Sequence, residues 1–152
     1  MSCVIKSINY CPVKSLSFQS VNSCQIQKNL GILNDRIFAF SSGINTKNAE
    51  LIEKNPKQRK LNNFLTLKNS PVLNKYNFNY DKNKLTLFLE NKEIISISPD
   101  NLEERPFLSE KLSNLEKSLA KPIQLLKNEI FPFYDTSHSD NIFNSLSLIN
   151  LN

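Results

Sequence analysis

The chain of 152 residues has no tryptophan, one methionine, one histidine, two glycines and three cysteines. Each scarcity excludes something. Gly31 and Gly43 stand apart, so no glycine-rich phosphate cradle of the Walker or dinucleotide-binding type exists here. The lone His138 has no HExxH context and no cysteine neighbour. Asp135, His138 and Asp140 therefore form a metal set only with ligands from elsewhere, and nothing positions a Cys–His nucleophilic pair. Cys3, Cys11 and Cys24 are odd in number and match neither CxxC spacing nor a disulfide framework. This usage predicts a reduced, cytoplasmic setting, with Cys3 and Cys24 acting as small hydrophobes. No apolar run approaches the ~18 residues of a membrane span. Met1 to Lys6 enters a strand pattern at once, which predicts a protein without a signal peptide.

What is there is globular. Hydrophobic residues make up 39% of the chain and charged residues 22%, within the range of a folded domain. The length predicts one domain with a real core. The net charge is +5, but Lys outnumbers Arg by 16 to 3 and Asn reaches 22. That profile matches an AT-rich coding bias better than a selected basic patch.

Hydrophobic patterning predicts a mainly β fold, barrel-like, with mixed or antiparallel strands. Strands are expected at 3–9, 17–27, 36–40, 64–67, 73–80, 84–90, 93–98 and 123–126. Pro12 breaks the first strand, and Gly31 marks a turn with positive φ. Asp81-Lys82-Asn83 and Asn91-Lys92 supply hairpin turns, because Asn tolerates the left-handed conformation. Leu108, Leu112, Leu115 and Leu119 form one apolar stripe, predicting an amphipathic helix over 106–120 that starts near Pro106. A shorter helix is expected near 47–55, ended by Pro56. Lys57-Gln58-Arg59-Lys60 reads as a solvated basic loop.

Two short motifs could carry chemistry. Pro12-Val13-Lys14-Ser15 sets a cation beside a hydroxyl on a turn, a pair that can bind an oxyanion. Its plain alternative is a solvated lysine after a proline. Asn34-Asp35-Arg36 sets an arginine beside a carboxylate at the start of a strand, either as an orienting ion pair or as an anion clamp. Its plain alternative is a salt bridge on a barrel rim.

The ordered set Tyr10-Cys11-Pro12-Val13-Lys14-Ser15-Leu16, then Gly31-Ile32-Leu33-Asn34-Asp35-Arg36-Ile37-Phe38, resembles the opening of the MOSC N-terminal β-barrel domain. Phe64-Leu65-Thr66-Leu67-Lys68-Asn69-Ser70-Pro71-Val72-Leu73 looks like the next family block. Residues 135–148, ending Ser145-Leu146-Ser147-Leu148, look like the start of the MOSC domain proper. The resemblance implies a barrel domain over 1–130 and an incomplete MOSC domain over 131–152. It also implies a molybdenum cofactor (molybdopterin) lying between the two in the intact parent, a molybdenum-dependent oxidoreductase acting on N-hydroxylated and similar N–O or S–O substrates. By position, Lys14, Ser15 and Arg36 would contact the pterin and its phosphate. A MOSC-domain cysteine would ligate molybdenum, and Cys3, Cys11 and Cys24 do not match it. The chain alone is expected to hold no cofactor and to be inactive, with a MOSC domain and a redox protein as partners. Two departures stand out. Cys11 replaces the aromatic before Pro12, and Lys68 replaces the arginine of the third block, losing a planar bidentate donor.

Two other classes of function remain. A basic barrel could bind single-stranded nucleic acid, using the alternation Phe78, Tyr80, Lys82 as a stacking face. An exposed edge or apolar docking patch could pair two copies as a homodimer or serve as an interaction scaffold.

Overall fold

The computed structural model describes residues 5–28 and 30–134. The 135–140 loop, the MOSC-like run ending at Leu148, and Cys3 lie outside the described residues. Among the described residues nine strands and two α-helices follow one another: β1 (Ile8–Tyr10), β2 (Gln19–Val21), β3 (Ile26–Gln27), β4 (Gly31–Ile32), β5 (Phe38–Ser42), α1 (Thr46–Lys54), β6 (Tyr76–Asp81), β7 (Lys84–Leu89), β8 (Lys92–Ile97), α2 (Arg105–Leu115) and β9 (Ile123–Lys127). The mainly β composition with two helices agrees with the sequence pattern. The described strands do not close into the expected barrel. The strands make four separate antiparallel sheets, β1–β2, β3–β4, β5–β9 and β6–β7–β8. The physical reason is strand length. Strands β1 to β4 hold only two or three residues each, too few to carry a continuous hydrogen-bonded ladder around a barrel. Isolated bridges, Val13 to Phe38 and Ser41 to Phe64, tie the pieces to β5.

The β6–β7–β8 meander follows its sequence closely. Tyr76, Phe78 and Tyr80 point inward while Asn77, Asn79 and Asp81 face out, the period of two expected of a half-buried strand. Lys82 and Asn83 (φ 46° and 61°) make the first hairpin turn, and Glu90 and Asn91 (φ 49° and 63°) make the second, one residue ahead of the expected Asn91-Lys92, with Lys92 opening β8. Consecutive positive φ is what the twist of a two-residue hairpin requires.

Elsewhere local chemistry shifts the boundaries. Strand β5 begins at Phe38 rather than residue 36, because Arg36 is left-handed (φ 54°) and cannot lie in a strand. The expected strand over 64–67 shrinks to a single bridge. Asn69 accepts from the Thr66 N–H (2.9 Å) and donates to the Phe64 carbonyl (2.8 Å), closing a turn in its place. Pro71 opens a 3₁₀ turn, Pro71–Lys75, so the strand expected from residue 73 begins at Tyr76. The 17–27 run splits into β2 and β3.

Helix α1 starts where the Asn45 side chain accepts from the Asn48 N–H (2.9 Å). Helix α2 ends at Leu115, not Ala120. Leu108 and Leu112 are fully buried, Leu115 is 37% exposed, and Leu119 reaches the core from beyond the helix. The main core lies between α2, the meander and β5. A second, smaller core gathers Ala39, Ala49, Ile52, Phe64, Leu126 and Phe133. Phe133 thus packs into the body formed by the preceding residues. Among the described residues no helix is long and apolar enough to cross a membrane.

Candidate functional site

The two sequence motifs meet. Pro12 turns the chain out of β1, and Arg36 turns it into β5, so both loops land at one end of β5. Four bonds hold them together. The Arg36 N–H donates to the Cys11 carbonyl (2.7 Å), and the Phe38 N–H to the Pro12 carbonyl (3.0 Å). The Lys14 N–H donates to the Phe38 carbonyl (2.8 Å), and the Cys11 N–H to the Asp35 carboxylate (2.8 Å). Ser15 and Arg36 both have φ 54°, and Asn34 has φ 67°. Left-handed non-glycine residues cost on the order of 1 kcal/mol or more each and collect where a site needs a particular geometry.

Asp35 and Arg36 form an ion pair, Nη1 to Oδ2 at 2.6 Å, with side chains 5% and 30% exposed respectively. Burial pushes the Asp35 carboxyl above its ordinary value, and the Cys11 N–H and the Arg36 guanidinium pull it part of the way back. Arg36 lies over the Tyr134 ring, 5.3 Å from its centroid. The Tyr134 hydroxyl donates to the Leu30 carbonyl, and burial pushes its phenol up to about 12.

Lys14 is only 3% exposed. Its Nζ donates to the Phe133 carbonyl (3.1 Å) and sits 5.7 Å from the Phe64 ring centroid. Ser15 is half-buried, and its carbonyl accepts from the Leu67 N–H (3.4 Å). Of the three residues singled out in the sequence, Arg36 therefore presents the most accessible cation, with Ser15 on the adjoining loop. Lys14 is turned to the 131–134 segment. Cys11 is buried, its thiol bonds the Val13 carbonyl (2.8 Å), and burial pushes it up to about 11. It is a protonated, enclosed thiol at neutral pH and not a nucleophile.

Arg59 is the residue that sequence reasoning missed. It was expected in a solvated loop, yet its guanidinium donates to four main-chain carbonyls, Ile52 (2.8 Å), Glu53 (3.0 Å), Phe131 (2.7 Å) and Pro132 (3.0 Å). It also lies 4.0 Å from the Phe133 ring centroid. The available signal was its identity, an arginine among 16 lysines.

The site fits an anion in part. Of the N–H donors of Arg36, Nη1 is the one hydrogen-bonded among the described residues, and a planar fork of this kind matches phosphate oxygens. A cavity of about 700 Å³ has Asp35 in its wall together with Tyr10, Gln19, Tyr80, Asp81 and Glu129. Lys14, Ser15 and Arg36 do not line it. Three carboxylates against Lys82 make that cavity a poor home for an anion. Among the described residues no group of three His, Cys, Asp or Glu side chains could hold a metal. The stacking face considered for nucleic acid is internal: Phe78 packs on Phe40 and Tyr80 on Phe38, centroids 5.6 and 4.9 Å apart. No protein family, no curated protein and no solved structure matches this chain.

Proposed function

We propose that the chain works as an N-terminal accessory domain of a MOSC-type molybdenum-cofactor protein, offering Arg36 and Ser15 to the phosphate of a pterin cofactor. Lys14, in this reading, secures the chain segment that borders the site. The single observation that carries the proposal is the convergence of the Pro12–Ser15 and Asp35–Arg36 loops, two left-handed residues included, on one partly exposed guanidinium. The buried Asp35 carboxylate holds that guanidinium through Nη1, and the arginine side chain stays 30% exposed. Arginine suits this task better than lysine because its fork matches two phosphate oxygens at once.

In such a protein the molybdenum centre carries the redox chemistry, and this domain supplies orientation and positive charge. The partner would be a MOSC domain, bringing the metal-ligating cysteine that Cys3, Cys11 and Cys24 do not provide. The chain itself has no redox activity in this account.

Inorganic pyrophosphate serves as the probe. Calorimetric titration at low salt is expected to show binding by the wild type, weakened at least about tenfold in Arg36→Ala, the loss of one charge-assisted pair. Binding should also weaken as salt is raised, since the site is near the surface. Equal affinity for wild type and Arg36→Ala removes Arg36 from the site.

A further inference from the structure

We propose that Arg59 is the positioning residue of this site, acting through the 131–134 segment. The inference rests on the anion reading above for its functional meaning, but its structural content stands apart.

The connection runs through named contacts. Arg59 uses Nε and Nη2 to hold the carbonyls of Ile52 and Glu53, at the C-terminal end of α1. It uses Nη1 to hold the carbonyls of Phe131 and Pro132, and its plane covers the Phe133 ring. One rigid side chain thus locks the 131–133 backbone to a helix end. From there the segment touches both site cations. The Phe133 N–H donates to the Arg36 carbonyl (2.8 Å), the Phe133 carbonyl accepts from Lys14 Nζ (3.1 Å), and the Tyr134 ring lies against the Arg36 guanidinium.

The chemistry singles out arginine. Four carbonyls lie around one plane, and a guanidinium offers five N–H donors in a fixed fork. Lysine offers three donors from a single nitrogen and cannot reach carbonyls on two sides at once. Without Arg59 the segment keeps the Lys14 bond and the buried Phe133 ring but loses both carbonyl anchors at Phe131 and Pro132, so its backbone gains room to shift and Arg36, bonded to Phe133, shifts with it. Ordering Arg36 before an anion arrives reduces the cost of binding.

The test uses the full chain with Arg59→Lys and Arg59→Gln. Amide hydrogen exchange at Phe133 reads its bond to Arg36, and the Arg36 Nε–Hε resonance reads the guanidinium. Both are independent of any ligand. In Arg59→Lys the Phe133 amide is expected to exchange about tenfold faster while the Leu87 amide in β7 keeps its wild-type rate, the mark of a local opening. The Arg36 resonance is expected to move. If Phe133 and Leu87 accelerate by the same factor, Arg59 merely supports overall stability and the proposal fails. It fails equally if Phe133 exchange or the Arg36 resonance is unchanged in both variants. Pyrophosphate affinity, measured alongside, should fall at least threefold in Arg59→Lys, about half the tenfold effect on a logarithmic scale. If the wild type does not bind pyrophosphate, the anion reading is what falls, and the exchange data still decide the role of Arg59.

Discussion

Asp35 and Glu116 are both buried carboxylates, yet their surroundings push them in opposite directions. Burial dominates at Asp35, and its folded-state value is raised. At Glu116 burial also pushes upward, but hydrogen bonds from Lys75 (2.5 Å) and the Tyr76 hydroxyl (2.6 Å) outweigh it and leave the carboxyl lowered. Linkage turns each shift into a pH effect. A raised value contributes stability that is complete below the ordinary 3.8 of aspartate and is lost as pH rises through the folded value. A lowered value contributes stability present above the ordinary 4.5 of glutamate and lost as pH falls through the folded value. Urea unfolding at several pH values, compared with Asp35→Asn and Glu116→Gln, should show this. As pH falls through the acid range, wild type gains on Asp35→Asn and loses on Glu116→Gln. A difference curve of the same sign for both would contradict the two environments. Residues of this kind were only partly legible in the sequence. The Asp35–Arg36 pair was, because the two are adjacent. The Tyr76–Glu116 bond was not, because forty residues separate its ends. Arg105, which joins the Glu53 carboxylate (2.8 Å) and the Pro99 carbonyl (2.6 Å), escaped notice for the same reason. Arg59 and Arg105 each hold several groups at once and Arg36 pairs with Asp35, while most lysines are exposed. In a lysine-rich chain the scarce arginine was itself the clue.

At the scale of elements, legibility tracked periodicity. Helix α2 and the meander carry repeats long enough to read, and they appear close to where the pattern puts them. The early strands do not, because Pro12 and left-handed residues such as Ser15 and Asn34 interrupt the chain and leave two- and three-residue pieces that no alternation can mark. Helix α2 ends a turn early for a similar reason. Glu116 leaves the helical conformation and commits its side chain to Tyr76 and Lys75. The apolar stripe therefore divides in its energetics. Leu112→Ala, which empties a fully buried position, should cost about 2–5 kcal/mol in urea unfolding. Leu115→Ala, at a partly exposed position near the helix end, should cost under about 1 kcal/mol. Similar losses at both would mean that the stripe continues in one buried face to Leu119.

Over the described residues as a whole, four small sheets stand where one barrel was expected, and side chains rather than a continuous ladder join them. Ser17 and Gln19 accept from the main-chain N–H groups of Phe78 and Tyr80 (2.6 and 3.0 Å), linking the β1–β2 pair to the meander. Glu53 links the end of α1 to α2 through Arg105 and to β9 through the Lys127 N–H (3.2 Å). On this frame the two motif loops and the 131–134 segment converge, and that convergence is the central claim. Its most direct test is a map of backbone and arginine side-chain resonances as inorganic pyrophosphate is added to the full chain. The account predicts that the largest shifts fall on Ser15, the Arg36 Nε–Hε group and Phe38, and vanish in Arg36→Ala. Shifts confined to the exposed lysines of the hairpin turns and the 57–60 loop, or the same map in Arg36→Ala, would contradict it.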